Sequence, residues 1–112
     1  MRNTNMSTVV KDNIESKRYE IFVDGHLAGY ADYSLSRGQI TYIHTEVFPE
    51  FTGKGVARQL AREILVEAGS RDLQVLPRCP FIAKFIAKNL GAFLDLVPIE
   101  KRIEFDLPIA AR

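Results

Sequence analysis

Cysteine is almost missing from this 112-residue chain: only Cys79 is present. One cysteine excludes an internal disulfide and a metal site of the cysteine-cluster kind. A cytoplasm with reduced thiols is the expected setting. Histidine is nearly as scarce, with two residues, so no metal centre is expected. Long apolar runs are also missing. Nothing approaches the roughly 18 residues that cross a bilayer, so no membrane association is expected. The stretch from Met1 to Ser7 has no apolar core, so no secretory leader is expected. Charge of one sign is missing too. The formal net charge is +1, from 15 Lys and Arg against 14 Asp and Glu. That balance argues against a nucleic-acid partner held by bulk electrostatics.

What is present suffices for one modest core. Apolar residues make up 46% and charged residues 26%, so a single globular domain is expected. Residues 1–17 are polar with little periodicity and read as a flexible arm, with Val9 and Val10 as a possible local pin. Arg18 to Val23 reads as a strand, and Asp24-Gly25 is a hairpin signal. Leu27 to Leu35 returns as a second strand, with Gly29, Ala31, Tyr33 and Leu35 on one face. After a turn at Ser36-Arg37-Gly38, Gln39 to Phe48 reads as the third strand of an antiparallel meander. Val56 to Ala68 has helical spacing of apolar residues, with Gly69 as its expected stop. Leu73 to Leu76 is a short strand that a crossover makes parallel to the third. Pro80 opens a second helix through Phe81, Ile82, Phe85 and Ile86, with Gly91 as its stop. The expected order is β-β-β-α-β-α, an α/β (α+β) fold with a mostly antiparallel mixed sheet. The domain spans 18–91, and 92–112 is a C-terminal extension. There Arg102 to Leu107 alternates like an added strand.

The meander runs into the most informative stretch. Pro49 ends the strand, and Gly53-Lys54-Gly55 turns the chain into the helix that starts at Val56. A glycine turn at a helix N-terminus gathers free N–H groups and the positive dipole end, which suits an anion. Two common phosphate motifs fail on spacing. A P-loop needs Gly-Lys-Ser/Thr, and here Gly55 follows Lys54. A dinucleotide fingerprint needs a third glycine where Arg58 stands. A plain strand-to-helix turn with no ligand is the competing reading. Arg58, in the first helical turn, either pairs with a phosphate or is simply a solvated helix face.

Three further residues could carry chemistry. His44 and Glu46 lie two apart on a strand, so they share a face and could act as a general-base pair. Alternatively they are the wet face of the sheet. Cys79 sits after Arg78 at a helix N-terminus, and both features favour a thiolate. Its competing reading is a small buried hydrophobe. His26 follows a turn glycine and reads as exposed.

The run Gly53-Lys54-Gly55-Val56-Ala57 resembles the pyrophosphate loop of the GCN5-related N-acetyltransferases, patterned Gln/Arg-x-x-Gly-x-Gly/Ala. Glu50 departs from the leading Gln/Arg. His44-Thr45-Glu46-Val47 before the loop and Pro77-Arg78-Cys79-Pro80-Phe81 after it resemble the small, minimal YjdJ-type members. The resemblance covers roughly Tyr19 to Asn89. It implies coenzyme A or acetyl-CoA as cofactor. It further implies that the backbone of Val47 and Phe48 holds the pantetheine arm and that Gly53, Lys54, Gly55, Val56 and Ala57 hold the pyrophosphate. Glu46 lies near where many acetyltransferases carry a catalytic glutamate. The expected activity is N-acetylation of a small-molecule or peptide amine. The mechanism is either direct attack with His44 or Glu46 as base, or relay through Cys79. Two other readings stand beside it: a CoA-binding module with little turnover, and a partner-binding domain without cofactor.

Overall fold

Four consecutive strands build a meander, three of them from alternating apolar residues, and one crossover extends it into a five-stranded sheet. The computed structural model describes residues 7–111. The strands lie in chain order: β1 (Thr8–Asn13), β2 (Arg18–Val23), β3 (His26–Ser36), β4 (Gln39–Val47) and β5 (Gln74–Pro77). All neighbours are antiparallel except β4 and β5, which run parallel. Helix α1 (Val56–Ser70) makes the crossover, and α2 (Pro80–Ala87) and the short α3 (Leu90–Phe93) follow β5.

β1 corrects the reading of 1–17 as a flexible arm, although residues 1–6 lie outside the described part. Thr8–Asn13 pairs with β2 along its whole length. Only Val10 packs against the core, while Val9 stays 47% exposed. Polar contacts add what the apolar pattern does not display. The Tyr33 hydroxyl donates to Asp12 at 2.6 Å, and Asn13 donates to Glu20 at 3.1 Å.

β4 carries a bulge that decides the geometry of the site. His44 pairs with Asp32 and Tyr42 with Tyr33, which leaves Ile43 without a partner on β3. An extra residue shifts the two-residue alternation by one. Tyr42 therefore faces the core and donates its hydroxyl to the Ile64 carbonyl at 2.8 Å. Beyond the bulge, Thr45 and Val47 take that same helix-covered face, while His44 and Glu46 turn to the other.

α1 lays Val56, Leu60, Ala61, Ile64, Leu65 and Ala68 against the sheet, all but fully buried. Each large aliphatic among them contributes about 1.5–3 kcal/mol. The expected stop at Gly69 is corrected: the helix runs through it to Ser70. Leu96 packs where a Gly69 side chain would begin, with its Cδ2 at 3.4 Å from that point. The turn is made instead by Asp72 in the left-handed region, φ 56°. Leu73 N–H donates to the Ala68 carbonyl and Asp72 N–H to that of Gly69, a Schellman closure.

Gly91 is likewise no stop, since it lies inside α3. α2 ends at Lys88, where the Asn89 side-chain amide donates to the Phe85 carbonyl at 2.8 Å. Nor is Arg102–Leu107 a strand. It forms 3-10 turns, Ile99–Lys101 and Ile103–Phe105, around a buried Arg102. That guanidinium donates to the carbonyls of Val97, at 2.9 Å, and Ile109, and Arg102's own carbonyl accepts from Leu107 N–H at 2.8 Å. The alternation does not survive in the burial: Ile103 and Leu107 would share one face of a strand, yet Ile103 is exposed and Leu107 is buried.

Burial raises the phenols of Tyr42 and Tyr33 above their ordinary value of 10.0, and Asp12 adds to the effect at Tyr33. A group with a raised folded pKa stabilises the fold fully below its unfolded pKa and loses that contribution as pH rises through the folded value. The melting temperature is therefore expected to decline as pH climbs above about 10. Tyr42→Phe should be less stable at neutral pH by about 1 kcal/mol, for the lost hydrogen bond, with a shallower alkaline decline. Melting curves at neutral and alkaline pH check both.

Candidate functional site: an open strand edge between a glycine turn and Cys79

The site arises where two parallel strands separate. β5 pairs with β4 only from Gln39↔Gln74 to Tyr42↔Pro77, whereas β3 accompanies β4 on to Val47. From Ile43 to Val47, β4 thus has a neighbour on one side only. Backbone groups alternate in direction along a strand. Phe48 shows which way they point: its N–H donates to the Ala28 carbonyl of β3 at 2.8 Å, and its carbonyl accepts from Phe51 at 2.9 Å. Both backbone groups of Phe48 thus already have a partner within the protein. The open groups on this edge belong to Val47 and Thr45.

The glycine turn lies at the far end of that edge. A 3-10 turn, Pro49–Phe51, lifts the chain off β4 and exposes Glu50. Gly53 and Gly55 both adopt the left-handed region, φ 80° and 75°, on either side of exposed Lys54. Gly55 is the α1 N-cap and brings no side-chain cap. Gln59 N–H bonds back to the Gly55 carbonyl, so the N–H groups of Val56, Ala57 and Arg58 precede the first helical bond. A Cβ on Gly53 would meet nothing within 4 Å, and one on Gly55 only Arg58 Nη2 at 3.8 Å. The space in front of these N–H groups is open. It forms part of a concavity of about 330 Å3 bounded by Val47, Phe51, Gly53, Gly55, Val56 and Arg58. The open edge, the free N–H groups and the empty space above the glycines fit a phosphorylated, amide-bearing arm.

At the near end stands Cys79. It is the N-cap of α2, with Pro80 at the first helical position. Its N–H donates to the Tyr42 carbonyl at 2.9 Å, so it begins where the strands part. The residue is 3% exposed, and its thiol lies 3.4 Å from Thr45 Oγ1, to which it donates. Thr45 escaped the sequence reading. The available signal was its alternation, which places it opposite His44 and Glu46.

His44 and Glu46 do lie together. His44 Nε2 is 3.3 Å from Glu46 Oε1, and both side chains are about half exposed. Tyr30 joins them from β3, donating its hydroxyl to Glu46 Oε1 at 3.2 Å. Desolvation first, then the charge of Glu46, pushes the Tyr30 phenol up, so it remains a neutral donor. The Arg18 guanidinium covers the Tyr30 ring at 4.5 Å from its centroid. This cluster and Cys79 are separated by the sheet itself: Thr45 points to one, its two neighbours to the other. Among the described residues, no group of three or more His, Cys, Asp or Glu could hold a metal ion. None of the described helices is long and apolar enough to cross a membrane.

A model of the GCN5-related N-acetyltransferases matches residues 18–96, well over half of the chain. The protein belongs to that family, and its mixed α+β sheet is of that kind. Acyl transfer is accordingly its general chemistry. No curated protein matches the chain.

Proposed function

We propose that the protein binds acetyl-CoA along the open edge of β4 and transfers the acetyl group to an amine. The observation that carries this reading is the run of unpaired backbone from Val47 to Thr45. It links a helix N-terminus suited to a pyrophosphate with the Cys79 thiol beside Thr45. The coenzyme supplies an activated acyl thioester. The N–H groups of Val56, Ala57 and Arg58 donate to the pyrophosphate oxygens, aided by the α1 dipole. Val47 and Thr45 hydrogen-bond the amides of the arm. On the exposed face, Glu46 takes a proton from the incoming ammonium, with His44 and Tyr30 orienting its carboxylate. The amine nitrogen then bonds to the carbonyl carbon, the carbon–sulfur bond breaks, and the coenzyme leaves as a thiol after taking up a proton.

A relay through Cys79 is the second reading, favoured by the thiol's place at the α2 N-cap within the fork. There Cys79 sulfur bonds to the acetyl carbon, coenzyme thiol departs, and the amine displaces Cys79 in a second step. His44 and Glu46 are not in contact with Cys79, so the proton of its thiol ends on the departing coenzyme sulfur, while Thr45 accepts the hydrogen bond that orients the thiol. A CoA-binding module with little turnover is the remaining alternative.

A thermal-shift titration with CoA and acetyl-CoA tests the binding. At a hundredfold excess over Kd the stabilisation should reach about 2.7 kcal/mol. No shift with either ligand would favour a domain that takes no cofactor. Acetyl-CoA with a panel of amines then separates enzyme from module by release of free thiol. Glu46→Gln is expected to slow that release about 100-fold while CoA affinity stays within a few-fold. Cys79→Ser should leave turnover nearly intact under direct attack and abolish it under relay.

A further inference from the structure

Arg58 borders a second hollow besides that of the glycine turn. A groove of about 570 Å3 runs between α1 and the end of α2, with Arg58, Arg62, Glu63, Phe85, Lys88 and Asn89 among its walls. Three of these residues are cations and one is an acid. Among the described residues, the ion pairs within 4.0 Å involve none of these three cations. The acid, Glu63, accepts instead from the Gln59 amide at 2.9 Å. Arg62 is held in place without a carboxylate: its guanidinium lies 5.3 Å from the Phe85 ring centroid and 5.8 Å from that of Phe93. Unpaired cations held around a hollow are arranged for an anion from solution.

We propose that this groove receives the nucleotide end of the coenzyme and reads its 3′-phosphate, so that the protein selects CoA over dephospho-CoA. The inference rests on coenzyme binding at the glycine turn. A pyrophosphate held by Val56, Ala57 and Arg58 has two ways out. One follows the open edge of β4 towards Cys79 and takes the pantetheine arm. The other passes Arg58, which borders both hollows, into the groove. A phosphate monoester carries about −1.5 to −2 charges at neutral pH, enough to engage several cations at once. Arg62 offers a planar fork to two of its oxygens, and Lys88 adds a point charge from the other wall. Dephospho-CoA retains the pyrophosphate and the pantetheine arm, so its loss of affinity reports this groove alone.

Isothermal titration of the full chain with CoA and with dephospho-CoA tests the inference. Dephospho-CoA is expected to bind at least ~10-fold more weakly, equivalent to about 1.4 kcal/mol. Lys88→Gln, at an exposed position, should weaken CoA several-fold and leave dephospho-CoA unchanged, which narrows the ratio. Raising salt should weaken CoA more steeply than dephospho-CoA. Equal affinity for both ligands in the unaltered protein overturns the inference while leaving the glycine turn as the coenzyme site. Binding of neither ligand overturns both.

Discussion

Gly55→Val is expected to lower CoA affinity at least ~10-fold, about 1.4 kcal/mol, in a protein that still folds. Gly55 holds φ 75° at the head of α1. Valine is poorly suited to that region, and its strain costs about 1–2 kcal/mol. In the free protein its side chain has room, because Arg58 Nη2 at 3.8 Å is the only heavy atom near the added Cβ. The branched methyls instead occupy the space above the N–H groups of Val56 and Ala57, where a phosphate must come close. Gly55→Asn separates the two effects. Asparagine tolerates positive φ, so stability should hold while the added amide still obstructs the anion. Titration calorimetry on both variants, with melting curves alongside, gives the comparison. Unchanged affinity in folded Gly55→Val would place the coenzyme elsewhere.

Gly29→Ala is expected to be the most destabilising of the substitutions considered. Gly29 sits opposite Val47 in the β3–β4 ladder. A Cβ there would stand 2.4 Å from the Glu46 carbonyl oxygen and 3.1 Å from Val47 Cα, both backbone atoms. Backbone cannot turn aside as a side chain can, so the strands must part or the ladder must slip. A cost near the top of the overpacking range, about 3 kcal/mol, is expected. At roughly 4–8 °C per kcal/mol for a domain of this size, melting should fall by more than 10 °C. The folded remainder should also bind CoA more weakly, because Val47 is pushed towards the open edge that receives it. Urea unfolding monitored with and without CoA measures both effects. A midpoint close to that of the unaltered protein would show that β4 yields at Val47 without cost.

The parts of the fold that short-range chemistry specifies were readable from the chain. The apolar spacing from Val56 to Ala68 and the Asp24-Gly25 turn needed no knowledge of distant residues. The glycine turn with its helix could be located the same way. Elements that depend on a distant partner were not readable. β1 has one core-facing valine and owes its place to Asp12, Asn13 and the ladder with β2. Arg102 overrides a strand-like alternation by gathering carbonyls from both sides of its own turn. Two expected helix stops failed because Asp72 and Asn89 supply the endings that Gly69 and Gly91 were expected to give. In the site, the His44–Glu46 pairing was legible from spacing alone. The thiol's contact with Thr45 depends on where the strands part, and the groove cations on how α1 and α2 pack. Neither leaves a local mark.

Ile43 has a consequence for how β4 tolerates change in length. A strand with one supernumerary residue contains two phases of sidedness, and the site is written in the second. Removing Ile43 would merge the two phases into one regular alternation, with Tyr42 inward, His44 outward and Thr45 inward, each opposite its present partner on β3. His44 and Glu46 would still face water, and Thr45 would still meet the thiol of Cys79. The strand can therefore give up one residue at this point and keep both faces. Loss of a second would exchange them, turning the carboxylate of Glu46 towards the apolar floor beneath α1 and Thr45 towards water. The supernumerary residue is thus a margin of one in the length of β4.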